Sequence, residues 1–211
     1  MRVTINDIQR MKDKADKISM ITAYDYTSAI LSESAGVPLI LVGDSLGQVV
    51  MGYDSTIPVT MDDMVHHIRM VSRATNASHI VGDLPFMSYQ VGKDDALVNA
   101  GRLLKEGGCQ SVKLEGGTSV VGVVEAIVTS GIPVMGHIGL TPQSVNQLSG
   151  YKLQGKTVGP AKKIIEDALN LEDAGAYAIV LELIPRELAE HITNQLSIPT
   201  IGIGSGSMCS G

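Results

Sequence analysis

The sequence has few aromatic residues, with one phenylalanine, six tyrosines and no tryptophan. A flat ligand would therefore rest on tyrosine, on aliphatic side chains or on backbone, because an extended aromatic stacking surface is absent. Positive charge is also limited, since the net charge is −6 and lysine and arginine form no cluster. These two features argue against a nucleic-acid partner.

Cysteine and long apolar runs are scarce as well. Cys109 and Cys209 have neither the spacing of a metal site nor that of a redox pair, which favours inert thiols in a reducing, cytoplasmic location. No apolar run approaches the ~18 residues typical of a transmembrane helix, so we expect no membrane partner. The N-terminal segment is polar and periodic, which is not the pattern of a signal peptide.

The chain does contain a regular alternation of strand-like and helix-like segments. Short apolar runs predict seven strands, at Ile18–Ala23, Val37–Val42, His79–Gly82, Ser111–Leu114, Pro133–Gly136, Tyr177–Leu181 and Pro199–Ile203. Helical patterns lie between them, at Thr27–Ser34, Met61–Thr75, Asp94–Glu106, Ser119–Ser130, Pro160–Asp173 and Arg186–Leu196. A short leading helix spans residues 4–14. This order predicts βαβ crossovers and one α/β domain over residues 1–211.

The positions of the titratable residues separate two parallel-sheet folds. A doubly wound sheet binds its ligand at one switch point, whereas a barrel draws contacts from the ends of many strands. Here six consecutive strand ends carry titratable side chains: Tyr24 with Asp25, then Asp44, Asp83, Glu115, His137 and Glu182. The pattern favours a TIM (β/α)8 barrel. Because such a barrel needs eight strands, we expect the last β/α unit to be missing from this chain.

The long loop after the second strand carries the motifs GDSLG and GYDSTIPVT, between Gly43 and Thr60. Seven further blocks occur along the whole chain: ITAYDY, DLPFMSY, VKLEGG, GHIGLTPQSVN, GYKLQGKT, LELIP and PTIGIGSG. Together they resemble the ketopantoate hydroxymethyltransferase family, in its order. The resemblance implies a TIM barrel that transfers a hydroxymethyl group from 5,10-methylenetetrahydrofolate to α-ketoisovalerate, the first step of pantothenate biosynthesis. It also implies a homo-oligomer, since bacterial members form decamers.

Three acidic strand ends predict a metal site. Asp44, Asp83 and Glu115 offer hard oxygen ligands, and no cysteine or histidine lies near them in sequence, which suits Mg²⁺. One such acid alone is more often a helix cap or a surface ion-pair partner, whereas three at equivalent positions favour a site. The resemblance implies the same three metal positions and leaves open whether Glu115 binds directly or through water.

Substrate contacts are predicted on the same strand ends. Lys113 and Glu115 are two residues apart and therefore point to the same face of a strand. An inward lysine either contacts substrate or neutralises the carboxylates, and the two roles are compatible. From the residues alone, the alternative for Ser45 is a serine in a turn. A lone strand histidine such as His137 is more often a buried residue with its hydrogen bonds made in the core than a catalytic residue. The resemblance implies keto-acid contacts for Asp44, Ser45, Asp83, Lys113 and His137.

Glu182 follows an apolar strand, and an apolar surrounding makes a carboxylate a stronger base near neutral pH. The resemblance implies that Glu182 is the proton acceptor that forms a Mg²⁺-stabilised enolate of the keto acid. The alternative is that Glu182 contacts the metal site indirectly or forms an ion pair with a lysine. The glycine-rich stretch from Gly202 to Gly206 suits either an anion or the close approach of a folate.

Two other functions fit the same residues. One is a lyase or mutase of the phosphoenolpyruvate mutase and isocitrate lyase kind, which acts on α-keto acids with Mg²⁺ and needs no folate. The other is a non-catalytic paralogue that serves as a binding or assembly subunit. Dependence on tetrahydrofolate separates the first from a hydroxymethyltransferase, and Mg²⁺-dependent binding without turnover would identify the second.

Overall fold

The structure is a computed structural model that describes residues 1–211 and contains one sheet of seven parallel strands. The strands are β1 (Met20–Thr22), β2 (Leu39–Val42), β3 (His79–Asp83), β4 (Ser111–Glu115), β5 (Val134–Gly139), β6 (Ala178–Glu182) and β7 (Thr200–Ile203). Each strand pairs with its neighbours in sequence, so the order runs from β1 to β7 without reversal. A doubly wound sheet requires a reversal, and the sheet is therefore a nearly closed barrel.

Nine α-helices accompany the strands. They are α1 (Ile5–Asp13), α2 (Tyr26–Ser34), α3 (Leu46–Val49), α4 (Met61–Ala74), α5 (Lys93–Arg102), α6 (Val121–Thr129), α7 (Val145–Leu148), α8 (Val158–Asp173) and α9 (Arg186–Gln195). A π-helical turn follows α5, and 3₁₀ turns precede α6 and α7. The leading helix and the six predicted helices are present. The short α3 and α7 lie in segments that the periodicity leaves as loops.

Local sequence explains where the first helix and α4 begin. Thr4 accepts a hydrogen bond from the backbone of Asp7, whose carboxylate in turn accepts one from the Thr4 backbone at 2.9 Å. Thr60 and Asp63 form the same reciprocal pair at the start of α4, again at 2.9 Å. Each pair satisfies two donors that the first turn of a helix leaves free, which fixes the starting residue.

Two apolar cores follow from the alternation of side chains along the strands. A cluster of 37 buried residues fills the layer between the sheet and the outer helices. A second cluster of eight lies inside the barrel, where Leu39, Val81, Met135 and Ile201 point inward from four strands. Ile8 of α1 belongs to this inner cluster, so α1 closes the amino-terminal end of the barrel. The opposite end is left for polar side chains.

The barrel has a gap between β1 and β7, which do not pair with each other. At its amino-terminal end the gap is bridged by backbone hydrogen bonds, from Gly211 to Thr200 at 3.0 Å and from Ile18 to Ser210 at 3.1 Å. Further along, Ile21 and Ile203 are 46% and 53% exposed. Residues 1–211 contain seven strands, which confirms the expectation that the last β/α unit of an eight-stranded barrel is missing from this chain.

One strand boundary differs from expectation in a way that affects the site. The predicted fifth strand ends at Gly136, with His137 just after it, whereas β5 continues to Gly139. The extension is stabilised by pairing of His137 with Glu115 of β4 and of Gly139 with Glu182 of β6. His137 therefore lies within a strand, between two glutamates, rather than at a strand end.

Candidate active site

A cavity of about 220 Å³ opens at the carboxyl ends of the strands, and we call it the strand-end cavity. All seven residues predicted for the site line it: Asp44, Ser45, Asp83, Lys113, Glu115, His137 and Glu182. Strand register brings them together, since Asp83 pairs with Lys113 and Glu115 pairs with His137 across adjacent strands. Residues far apart in sequence thus form one polar wall above the apolar inner cluster.

Lys113 lies at the centre of the polar wall. Its Nζ is 2.9 Å from Asp83 Oδ1, 3.9 Å from Glu115 Oε1 and 3.2 Å from His137 Nδ1, and its side chain is only 4% exposed. Burial lowers the pKa of Lys113, but the charges of Asp83 and Glu115 outweigh it and hold that pKa above its ordinary value. The lysine is therefore a permanent cation that neutralises part of a carboxylate cluster.

Asp44 and Asp83 carry the negative charge that Lys113 leaves uncompensated. The backbone N–H of Asp44 donates to Asp83 Oδ2 at 3.1 Å, which brings the two acids side by side. Burial, together with the charge of Asp83, raises the pKa of Asp44 to about 8. Burial also raises the pKa of Asp83. Two buried, oxygen-only side chains with surplus negative charge suit a hard divalent cation.

Glu115 is placed differently from the two aspartates. Its Oε2 accepts a hydrogen bond from the backbone of Gln143 at 3.0 Å, and its Oε1 faces His137 Nδ1 at 3.4 Å. Burial raises its pKa, but the hydrogen bond and charge of His137 outweigh this and hold that pKa below its ordinary value. No group of three histidine, cysteine or acidic side chains converges at metal-binding distance. Asp44 and Asp83 could thus hold a cation, whereas both oxygens of Glu115 already face protein groups.

His137 connects two glutamates across the cavity wall. Its Nε2 is 3.0 Å from Glu182 Oε2, while Nδ1 faces Glu115. Burial and the charge of Lys113 lower the pKa of His137, but its close contacts with the two glutamates raise it above its ordinary value overall. Glu182 is 18% exposed as a side chain, compared with 3% for Glu115. Of the two, Glu182 is therefore the carboxylate that is more open to the cavity.

Comparison with known proteins agrees with this arrangement. The model of the family described as ketopantoate hydroxymethyltransferase matches residues 2–211. The 3-methyl-2-oxobutanoate hydroxymethyltransferase of Carboxydothermus hydrogenoformans is 60% identical over 210 residues, which cover 100% of this chain and 76% of that protein. The chain belongs to the ketopantoate hydroxymethyltransferase family. The family expected from the nine sequence motifs is confirmed.

Solved structures of two other proteins share the fold of this family member. A phosphoenolpyruvate phosphomutase from Streptomyces platensis superposes with a TM-score of 0.71 at 13% identity, covering 99% of this chain and 76% of that one. A 2,3-dimethylmalate lyase, described as a member of the PEP mutase/isocitrate lyase superfamily, superposes with a TM-score of 0.65 at 18% identity, over 95% and 72%. At these identities the likeness concerns the fold alone, and it confirms the predicted barrel.

Gln143 is a residue of the ketopantoate hydroxymethyltransferase site that the sequence analysis missed. Its Nε2 donates to Asp44 Oδ2 at 2.8 Å and to the carbonyl of Leu84 at 2.9 Å, while its backbone N–H holds Glu115. The Tyr89 hydroxyl donates to Gln143 Oε1 at 2.7 Å, which fixes the amide orientation. Gln143 thus orients Asp44 and Glu115 together. The motif GHIGLTPQSVN contains it, but nothing in that motif reveals where its side chain points.

The remaining expectations have mixed outcomes in this family member. Ser45 lies at the cavity, and its Oγ is 2.8 Å from the hydroxyl of Tyr24. In the glycine-rich stretch, Ser205 Oγ donates to the carbonyl of Leu181 at 2.8 Å and accepts from the backbone of Ile184 at 3.2 Å. Ser205 therefore has a structural role, and the contact of the Gly202–Gly206 stretch with an anion or a folate stays a prediction. None of the helices is both long and apolar enough to cross a membrane.

Proposed function

We propose that this chain transfers a hydroxymethyl group from 5,10-methylenetetrahydrofolate to α-ketoisovalerate, giving ketopantoate, with Mg²⁺ at the site. Membership of the ketopantoate hydroxymethyltransferase family supports the reaction. The observation that carries the residue roles is the wall on which Glu182 faces the same cavity as Asp44, Asp83 and Lys113. A homo-oligomer, a decamer as in bacterial members, and a cytoplasmic location belong to the same proposal.

Asp44 and Asp83 would hold the Mg²⁺, and Glu115 would reach it through water. When bound, the ion supplies Lewis-acid stabilisation for negative charge that develops on the keto acid. Burial and the charge of Asp83 raise the pKa of Asp44, and a bound cation would stabilise the ionised carboxylate against both effects. Gln143 Nε2 donates a hydrogen bond to Asp44 Oδ2, which leaves the other carboxylate oxygen of Asp44 available to the cation.

The remaining side chains orient the substrate and move one proton. The ammonium group of Lys113 and the hydroxyl of Ser45 bind the oxygens of α-ketoisovalerate, so that C3 faces Glu182. The Glu182 carboxylate removes the C3 proton, while His137 Nε2, 3.0 Å from Glu182 Oε2, keeps that carboxylate in position. The C3 electron pair forms the new bond to the one-carbon unit, whose bonds to the folate nitrogens break. Water supplies the hydroxyl oxygen and one hydroxyl proton, while its other proton and the proton removed by Glu182 pass to the two folate nitrogens.

Product formation from the two substrates tests the proposal. Protein incubated with Mg²⁺, α-ketoisovalerate and 5,10-methylenetetrahydrofolate should form one ketopantoate for each tetrahydrofolate, as measured by proton NMR. Omission of either the folate or the metal ion should stop the reaction. Breakdown or rearrangement of a keto acid without folate would instead favour the lyase or mutase alternative, and Mg²⁺-dependent binding without turnover would favour a non-catalytic subunit.

The stability of the metal-free protein should depend on pH in a direction set by Asp44. Its pKa rises from 3.8 to about 8 on folding, so between these values the folded chain binds more protons than the unfolded chain. The contribution of Asp44 to the free energy of unfolding must then fall as pH increases through this range. The raised pKa of His137 acts in the same direction. Burial lowers the pKa of His79 from 6.5 to about 4, which opposes this trend only up to about pH 6.5.

Thermal unfolding with EDTA should therefore give a lower Tm at about pH 8.5 than at about pH 6. Added Mg²⁺ should raise the Tm more at the higher pH, because it binds deprotonated carboxylates. Asp44→Asn should remove most of both effects. A metal-free Tm that increases over this range would contradict a protonated Asp44 in the folded chain.

A further inference from the structure

The chain contains three buried side-chain polar atoms without a hydrogen-bond partner: Thr56 Oγ1, Asp83 Oδ1 and His137 Nε2. All three residues line the strand-end cavity. Asp83 Oδ1 and His137 Nε2 nevertheless have ion-pair partners, Lys113 Nζ at 2.9 Å and Glu182 Oε2 at 3.0 Å, whereas Thr56 Oγ1 makes neither a hydrogen bond nor an ion pair. Buried polar groups are nearly always paired, so the unpaired hydroxyl of a residue that lines this cavity indicates a contact to a ligand.

Thr56 is the one of the three that has no role in the proposed reaction. It lies in the loop between α3 and α4, and it is 1% exposed. The loop packs directly on α3: the backbone of Tyr53 donates to the carbonyl of Gly47 at 2.8 Å, and a Cβ at Gly47 would lie 2.6 Å from the side chain of Val59. The contact with α3 holds Thr56 on the wall of the cavity, where its hydroxyl lacks a protein partner.

The chemistry of the two keto acids suggests which ligand atom Thr56 meets. The carboxylate and keto oxygens of α-ketoisovalerate are matched by charged groups, of which Lys113 is the central one. The rest of that substrate is an apolar isopropyl group, to which the reaction adds one neutral hydroxyl. A threonine hydroxyl both donates and accepts, and it complements a neutral hydroxyl without the need for charge.

We infer that Thr56 hydrogen-bonds the hydroxyl oxygen of the transferred hydroxymethyl group, an inference that rests on the proposed function. Thr56 thereby distinguishes the hydroxymethylated keto acid from its precursor. It also gives the oxygen of the one-carbon unit a fixed place on the cavity wall while the carbon–carbon bond forms. The contact exists with product and is absent with α-ketoisovalerate.

The ligand-free protein should show the cost of this arrangement. An unpaired buried hydroxyl is unfavourable, whereas an apolar group of the same shape is not, so Thr56→Val should leave the Tm equal or higher. Thr75 offers a matched control because it is also 1% exposed but fully paired, accepting from Arg2 Nη1 at 3.1 Å and donating to the carbonyl of Val71 at 3.0 Å. Thr75→Val should lower the Tm.

Calorimetric binding to the Mg²⁺-loaded protein tests the contact, with α-ketoisovalerate and ketopantoate as the two probes. Thr56→Val should weaken ketopantoate binding about tenfold, the cost of one lost hydrogen bond to a ligand. Binding of α-ketoisovalerate should not change, and Thr56→Ser, which keeps the hydroxyl, should restore the affinity for ketopantoate. Thr75→Val should bind both keto acids as the wild type does.

The other outcomes overturn the inference in distinguishable ways. Equal weakening of both keto acids in Thr56→Val would mean that Thr56 shapes the cavity, and unchanged affinity for both would mean that it does not meet the ligand. In either case the wild type still binds both compounds and the proposed function stands. Failure of the wild type to bind either keto acid would overturn the proposed function and the inference together.

Discussion

Replacement of Glu182 by glutamine should slow proton exchange at C3 of α-ketoisovalerate by about 100- to 10,000-fold, the usual contribution of a general base. Binding of Mg²⁺ and of the keto acid should remain nearly unchanged, because glutamine keeps the shape of the side chain. Glu182 is proposed to hold neither the metal ion nor the oxygens of the keto acid. The expectation rests on geometry: Glu182 is more exposed to the cavity than Glu115 and lies 3.0 Å from His137.

Proton NMR in deuterated buffer measures this step in isolation, with Mg²⁺ present and before any folate is added. The C3 proton signal should disappear with the wild type and persist with Glu182→Gln. Glu187 provides a matched control, since it is an exposed glutamate in the first turn of α9, and Glu187→Gln should exchange as the wild type does. Loss of keto-acid binding in Glu182→Gln would assign Glu182 a binding role, and retained exchange would make another group, such as His137, the base.

Replacement of Lys113 by methionine should lower the free energy of unfolding of the metal-free protein by about 3–5 kcal/mol, the usual cost of leaving a buried charge without its partner. Lys113 is the cation at 2.9 Å from Asp83 and 3.9 Å from Glu115, with 4% of its side chain exposed. Without it, the charges of Asp44, Asp83 and Glu115 repel one another in a low-dielectric interior. Keto-acid binding should be lost in the same variant.

Urea unfolding at several pH values measures the effect of Lys113→Met. The loss should be largest above neutral pH and smaller in acid, because the carboxylates left without the lysine take up protons as pH falls. Lys163 offers a matched control, since its Nζ is also 2.9 Å from a carboxylate, that of Asp167, but its side chain is 54% exposed. Lys163→Met should cost less than about 1 kcal/mol. Equal losses in the two variants would contradict the buried charge cluster.

The sequence by itself determined the features that depend on neighbouring residues. Apolar runs with β-branched residues indicated all seven strands, and Thr60 with Asp63 three residues later marked the start of α4. The recurrence of Asp44, Asp83 and Glu115 after successive strands was enough to predict that their side chains line one end of a barrel. Parallel strands place their carboxyl ends together, so this step needs only the order of the elements.

Only the tertiary structure decided the contacts between distant residues. Gln143 meets Asp44 across 99 positions of sequence, and Lys113 meets Asp83 because β3 and β4 are aligned in this register. The motif that contains Thr56 could not predict that its hydroxyl lacks a hydrogen-bond partner, because burial and side-chain contacts are properties of the folded chain. Periodicity and capping act over a few residues, whereas side-chain partners depend on strand register and loop packing, which no short stretch of sequence encodes.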